Sequence, residues 1–575
     1  MYTKKIKCFL SVTIAAAAAL LLIYAVFRTI GVHNSIYNLF SSRAILLFCF
    51  LFIAFAAVRA TKELVHFDVP ALVCAFVLSA LIVISAPFHY LETIGERFYR
   101  PALGILLQRP AYYFAVFGFY LVFLYFLFSA VRLVFLSKAH EKKVSGSCNV
   151  VSGNTCIRLT LMVAAYICIF ALLYQPYFPH GASPDTHNQW EQIHGVLDYN
   201  RIHSIGHTVL LRALLSLWDD YTIVILFHIA AVTIIYMMFS QYFCRQKLRP
   251  VLIAVVFCFG LFFTCKFSAA YFYPWKDTPA AVCLATVCFF LIRYRQAEHI
   301  GSLGAFFLGL ALAGCFLLRR NGIIALIVCS TYFLIVFLKK RHYRQPFTML
   351  VSIVLSISFI SVYSDRVLNP ADYENGFSIQ VFASGIAAMV DSGELSVEEL
   401  AEIDEIISVK WMQDVYGHNI HKRALIWGTD NSPEIQADKN LDIFNNRFVL
   451  DLGEHKAEVI KLYLKLMPRH LGVCIYDIVG SLYMMWSVPE VFLYSYPFVL
   501  LLLVYLVIKV RLSLADCVVF LPSMCNTISI MISTITNEKR YLLPTFMLAP
   551  VYFLYILMKG QQSQAAGDGM SNISN

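Results

Sequence analysis

Runs of about 18 or more mostly apolar residues recur from one end of this chain to the other, and a helix of that length crosses ~30 Å of hydrocarbon. Inside a bilayer no water satisfies backbone N–H and C=O groups, so each such run is committed to a helix. By length and apolarity about fourteen are counted. They begin near Cys8, Arg43, Val69, Ala111, Leu159, Tyr221, Val251, Thr278, Ser302, Ile323, Phe347, Val491, Leu514 and Tyr541. Composition agrees: 59% hydrophobic and only 14% charged residues in a chain of 575 leave too little polar surface for a soluble protein. The expected fold class is all-α, a polytopic integral membrane protein with about 14 transmembrane helices.

Orientation follows from the loops. Lys4, Lys5 and Lys7 precede the first run, which is longer than a signal-peptide core and is read as a retained helix with a cytoplasmic start. Alternating from there puts Arg59 and Lys62, the basic stretch 138–143, residues 244–249, Arg293 and Arg295, residues 339–344 and Lys509 with Arg511 on one face. The positive-inside rule makes that face cytoplasmic, so both termini are expected there. Loop orientation and anionic headgroups account for the net charge of +10, which leaves no need for nucleic acid as a partner. The sixteen cysteines are scattered without a CxxC pair and indicate neither a disulfide framework nor a zinc site. Walker-type glycine loops, GxSxG and HExxH are absent, which argues against an ATP-driven pump, an α/β-hydrolase and a zinc protease.

The same alternation places the segments 174–220, 267–277, 319–322, 365–489 and 537–540 on the outer face, and nearly every unusual polar residue falls in them. Residues 1–137 read as an accessory N-terminal module of four membrane helices, and 138–158 as a cytoplasmic linker. Residues 159–363 form the transmembrane core with a polar outer loop at 175–220, followed by a helical extracytoplasmic domain at 364–470. Residues 471–560 are the C-terminal transmembrane helices, and 561–575 a disordered tail. Helical signals stand in SVEELAEIDEIISVKWM and GEHKAEVIKLYLKLM within the outer domain.

Residues 183–208 pack four histidines, three acidic residues and two glutamines behind an apolar run. Asp185 there is either a general base at the membrane surface, where pKa values shift readily, or an N-cap for a helix starting at Thr186. Gln189 and Gln192 follow at helical spacing on its face. Trp190 serves as an interfacial anchor or as a stacking platform for a sugar ring. His203 and His207, four apart, could hold a metal, a phosphate or Asp185, or be structural. Lys276 and Asp277 end an outward helix in YFYPWKDTPA, as a capped turn or as a meeting place for a lipid-borne phosphate. Arg319 and Arg320 in FLLRRNGII, with Glu538 and Arg540 in TNEKRYLLP, break the positive-inside expectation. Snorkelling explains each turn singly; an anionic partner, best matched by the planar guanidinium fork, explains them together.

SPDTHNQWEQ, HSIGHTVLL, YPWKD, LLRRNG, FSIQVFASGIAAMV and NEKRYLLP, in that order over residues 159–557, resemble a bacterial family of membrane proteins within the GT-C superfamily of polytopic glycosyltransferases. The resemblance implies a GT-C-like core and a polyprenyl-phosphate-linked sugar as donor. It implies an extracytoplasmic glycan, lipid or protein as acceptor, and an activity of the hexosyltransferase type in the bacterial plasma membrane with its active site on the outer face. Asp185 matches the catalytic acidic position, and the Lys276–Asp277 and Arg319–Asn321 turns match places where phosphate gathers. His203 is followed by Ser204 where such proteins often carry His-Pro. Asp185 is then the base, with Arg320 and Lys276 on the phosphate and inversion at the anomeric centre. A divalent cation, Mg or Mn, at Asp185 is left open. The rival readings are a transporter or flippase for a lipid-linked or anionic solute, and a polysaccharide polymerase or ligase.

Overall fold

The computed structural model describes residues 68–94, 153–179, 181, 183–199, 203–297, 300–368, 379–416, 455–482, 485, 495–533 and 539–571, with separate helical residues between 114 and 129. All regular structure among them is helical, with no strand. In chain order the helices are α1 (Val69–Ile94), α2 (Gly153–Tyr174), α3 (Pro184–Ile193), α4 (Ile205–Leu215), α5 (Thr222–Arg245), α6 (Pro250–Phe267) and α7 (Asp277–Ala297). Then come α8 (Ser302–Leu318), α9 (Ile323–Lys339), α10 (Arg344–Tyr363), α11 (Gln380–Ser392), α12 (Val397–Asp404), α13 (Val409–Tyr416), α14 (Lys456–Leu466) and α15 (Leu471–Ser481). The chain closes with α16 (Tyr496–Val510), α17 (Leu514–Cys517), α18 (Leu521–Ser533) and α19 (Leu543–Ser571).

Among the described residues eight segments are long and apolar enough to cross a membrane: those starting at Ile157, Thr222, Pro250, Asp277, Arg320, Arg344, Leu514 and Lys539. They coincide with eight of the fourteen expected runs. The runs near Val69, Ser302 and Val491 form shorter apolar helices, that near Ala111 is described only in part, and those near Cys8 and Arg43 lie outside the described residues, as does the basic stretch at 138–152. Val251, Ile327, Phe347 and Phe359 stand exposed along the spans. Apolar patches of that kind suit lipid rather than water.

The main core joins α2, α5, α6, α7, α16 and α19. Tyr236 donates from its buried hydroxyl to the Met547 carbonyl at 2.8 Å, and Tyr166 shares a 2.9 Å bond with Ser240, so the polar tips of buried rings are satisfied inside the bundle. Gly260 lets α6 approach Pro550 of α19 so closely that a Cβ there would lie 2.7 Å from the proline ring. Helix α1 shares this core: Asp68 at its start accepts from Lys509 at 2.7 Å and from the Tyr505 hydroxyl at 3.0 Å on α16. A second core gathers α7 to α10 with Cys525 of α18.

Helices α11 to α15 enclose their own core of Ile379, Ile386, Met389, Ile403, Leu462 and neighbours. The two helical signals read within residues 364–470 correspond to α12, α13 and α14. Ser396 and Glu399 form a reciprocal capping box at the start of α12. At the chain's end α19 runs on to Ser571, past the point near Gly560 where a disordered tail is expected. Its extension, QQSQAAGDGMS, is rich in the helix-forming residues Gln, Ala and Met.

Candidate functional site

Ser183 caps α3: its Oγ accepts from the Thr186 amide at 3.2 Å, while Thr186 Oγ1 accepts from the Ser183 amide at 2.9 Å. The cap is therefore two residues earlier than the sequence suggests, and Asp185 is spared that duty. Three outside contacts hold the turn. Trp275 Nε1 donates to Ser183 Oγ at 2.8 Å, the Tyr221 hydroxyl donates to the Thr186 carbonyl at 2.7 Å, and Gln189 Nε2 donates to Thr208 Oγ1 of α4 at 3.3 Å.

So positioned, Asp185 meets Arg540 across 355 residues of sequence, with Nη1 donating to Oδ2 at 2.8 Å. The guanidinium lies over the Trp275 ring at 4.6 Å and beside Tyr541 at 5.5 Å. Tyr541 also carries Arg319, whose guanidinium is 4.6 Å from the ring centroid and whose Nη1 is 3.3 Å from Oδ1 of the fully buried Asp277. That second pair lacks hydrogen-bond geometry, so both Asp277 oxygens are buried without a hydrogen-bond donor among the described residues. Helix α18 fixes the two arginine turns relative to each other: Asn526 donates to the Tyr541 carbonyl at 3.2 Å and Ser529 to the Asn321 carbonyl at 2.7 Å. Gly322 presses against the Cys315 carbonyl where any Cβ would overlap, which folds the 319–322 turn back on α8.

Lys276 lies in the electrostatic field of Asp185 and Asp277 but forms no ion pair with either. Burial pulls its ammonium below the ordinary lysine range, against the pull of both carboxylates. Burial alone would raise the Asp185 carboxyl, yet Arg540, helped by Lys276, holds it down to about 2. His203 is buried, which lowers it to about 3 and keeps it neutral at neutral pH. Three cations and two carboxylates thus gather here.

Of the residues singled out from sequence, Asp185, His203, Lys276, Asp277, Arg319 and Arg540 come together. His207 lies buried beside them, in the field of Lys276 and His203, with both ring nitrogens lacking hydrogen-bond partners among the described residues. Gln189 is spent on pinning α3 to α4. Trp190 is half-buried, stacked on His194 at 4.1 Å and edge-on to Tyr221 at 4.9 Å. Arg320 is exposed and faces a neighbouring cleft. Glu538 lies outside the described residues. The sequence reading did not single out Tyr541 or Ser183 and took Trp275 only as an aromatic neighbour; adjacency to Arg540 and Lys276 was the one signal for the two rings.

Among the described residues no group of three or more His, Cys, Asp or Glu is arranged to hold a metal ion. With Asp185 engaged by a guanidinium, the donors present do not fit a divalent cation. Comparisons with protein-family models, with curated proteins and with solved structures find no match.

Proposed function

We propose that the chain is a membrane glycosyltransferase of the GT-C type, moving a sugar from a polyprenyl-phosphate donor to an acceptor on the extracytoplasmic face of a bacterial plasma membrane. The observation that carries this reading is the cluster in which Asp185 is held by Arg540 beside Lys276, at the ends of membrane-length helices. Orientation is supported by the opposite ends of the same helices, where Arg245, Arg295 and Lys339 stand in the last turns.

The donor phosphate is held by Lys276 and Arg540 as its cations. Arg540 is better placed for this than Arg320, because its guanidinium is already held between aromatic rings. As the guanidinium turns from carboxylate to phosphate, Asp185 loses the charge that holds its pKa down and becomes a competent base. The acceptor hydroxyl gives its proton to Asp185 while its oxygen attacks the anomeric carbon. The bond from that carbon to the phosphate oxygen breaks, and polyprenyl phosphate departs with the electron pair. A single displacement inverts the anomeric centre.

The test is release of free polyprenyl phosphate from a panel of polyprenyl-phosphate sugars by the purified protein in nanodiscs, comparing wild type with Asp185→Asn and with Asp198→Asn as a control at an exposed loop position. Release that needs Asp185 and not Asp198 supports the reading and names the donor sugar. No release from any donor, with crude acceptor extract present, would turn the assignment toward a transporter of lipid-linked solutes.

A further inference from the structure

Beside the charged cluster, a cleft of about 340 Å³ opens between α4, α8 and α10. One wall is the start of α4, at Ser204 and Gly206, and another is Phe316 and Leu317 at the end of α8, followed by Arg320. The third comprises Ile360 and Ser361, then Ser364 and Asp365 on the π-turn Ser364–Leu368 that ends α10. Such widened turns often mark functional places in a helix. Ser364 is 3% exposed, and its Oγ has no hydrogen-bond partner among the described residues although it lines the cleft. A buried hydroxyl left in that state asks for a ligand or an equivalent donor. Ser204 adds a second hydroxyl, since it begins α4 without a side-chain capping bond.

We propose that this cleft binds a neutral, polyhydroxylated group, a single sugar ring, and that the transferred sugar's acceptor is therefore a glycan or glycolipid hydroxyl. Calling it the acceptor rests on the transferase reading; the sugar binding does not. The cleft's two charged residues, Arg320 and Asp365, are of opposite sign, so an anion placed there faces a carboxylate and a cation faces a guanidinium and the positive end of α4. A hydroxyl-bearing ring uses both, accepting from Arg320, donating to Asp365, and doing either with the three serines. Phe316, Leu317 and Ile360 offer the apolar surface that the C–H face of such a ring covers, and the volume lies at the small end of ligand pockets. His203, next in sequence to Ser204, lies in the field of both Arg320 and Asp185, so the cleft adjoins the carboxylate that would take the acceptor's proton.

Saturation-transfer NMR on the full-length protein in nanodiscs tests this, with methyl glucoside, galactoside, mannoside and N-acetylglucosaminide as probes against methyl phosphate and phosphocholine. At least one glycoside is expected to bind saturably, weakening about fivefold or more in Ser364→Ala and in Asp365→Asn, as loss of one hydrogen bond in a buried site requires. Asp198→Asn, at an exposed loop position, should leave that binding unchanged. Ser361→Trp, which fills the cleft mouth, should abolish it, with the thermal unfolding midpoint followed for every variant. Tighter binding of methyl phosphate or phosphocholine than of every glycoside would overturn the proposal, as would glycoside binding that survives all three cleft variants, or none at all. Glycoside binding without any polyprenyl phosphate release would count against the transferase alone.

Discussion

The membrane-length segments Asp277–Arg295 and Lys539–Ser563 each carry charged residues near both ends, and the two ends are built differently. At the end away from the candidate site, Asp516 accepts from Ser513 at 2.6 Å, Tyr555 at 3.1 Å and Lys559 at 3.0 Å, with Arg295 at 3.5 Å. That carboxylate is saturated with donors, half-open to solvent on its cationic side, and ties α7 to α17 and α19. At the other end, among the described residues, Asp277 has no hydrogen-bond donor, Lys276 has no ion pair with either neighbouring carboxylate, and Asp185 is bonded by a single guanidinium. The ends are 18 residues apart along α7, or about 27 Å at the rise of an α-helix, close to the hydrocarbon thickness. A saturated cluster reads as a staple; an unsaturated one of the same residue types reads as a place kept open for something else.

Breaking the two ends in turn should separate these roles. The largest expected effect is Asp185→Asn, which lowers polyprenyl phosphate release by about 10²–10⁴-fold, the usual worth of a positioned base, while circular dichroism stays unchanged. Arg540→Lys should follow, with a loss of about 10²-fold, because an ammonium keeps the charge but neither the fork nor the flat stack on Trp275. Lys276→Met should raise the donor KM by about 10–100-fold, the worth of a charge-assisted hydrogen bond. Its thermal midpoint should not fall. Because the folded state depresses the Lys276 pKa, its charged form destabilises the fold below that lowered value, a penalty that fades as pH rises through it toward 10.5.

Asp516→Ala is the counterpart: a stability loss of about 1–3 kcal/mol in thermal unfolding, with release per folded molecule unchanged. Activity that falls with Asp516 as steeply as with Asp185 would erase the distinction between the ends. The smallest effect is on pH. The Asp185 carboxyl, depressed to about 2 from 3.8, contributes stability that is fully present above 3.8 and lost as pH falls through about 2. The difference in unfolding midpoint between wild type and Asp185→Asn should therefore be flat above about pH 5 and shrink only in strong acid.

The spans were legible because apolar length is a one-dimensional property, and eight of the expected runs have the length and apolarity to cross a membrane. The clustering of polar turns at one end was also legible, since alternation along the chain puts the segments around Asp185, Lys276, Arg319 and Arg540 on one side. Pairing was not. Nothing local to NEKRY announces that Arg540 rather than Arg320 meets Asp185, because that contact is set by α18, whose Asn526 and Ser529 hold both turns through backbone carbonyls. Ring orientation was equally hidden: Trp190 and Trp275 look alike in sequence, yet one is consumed by His194 and Tyr221 while the other carries the guanidinium.

Tyr541 rests against both guanidiniums, and the two Asp–Arg pairs therefore share one wall. A ring held this way cannot follow one guanidinium without leaving the other. The carboxylate–guanidinium contacts at Asp185 and at Asp277 therefore border on a single side chain, the ring of Tyr541.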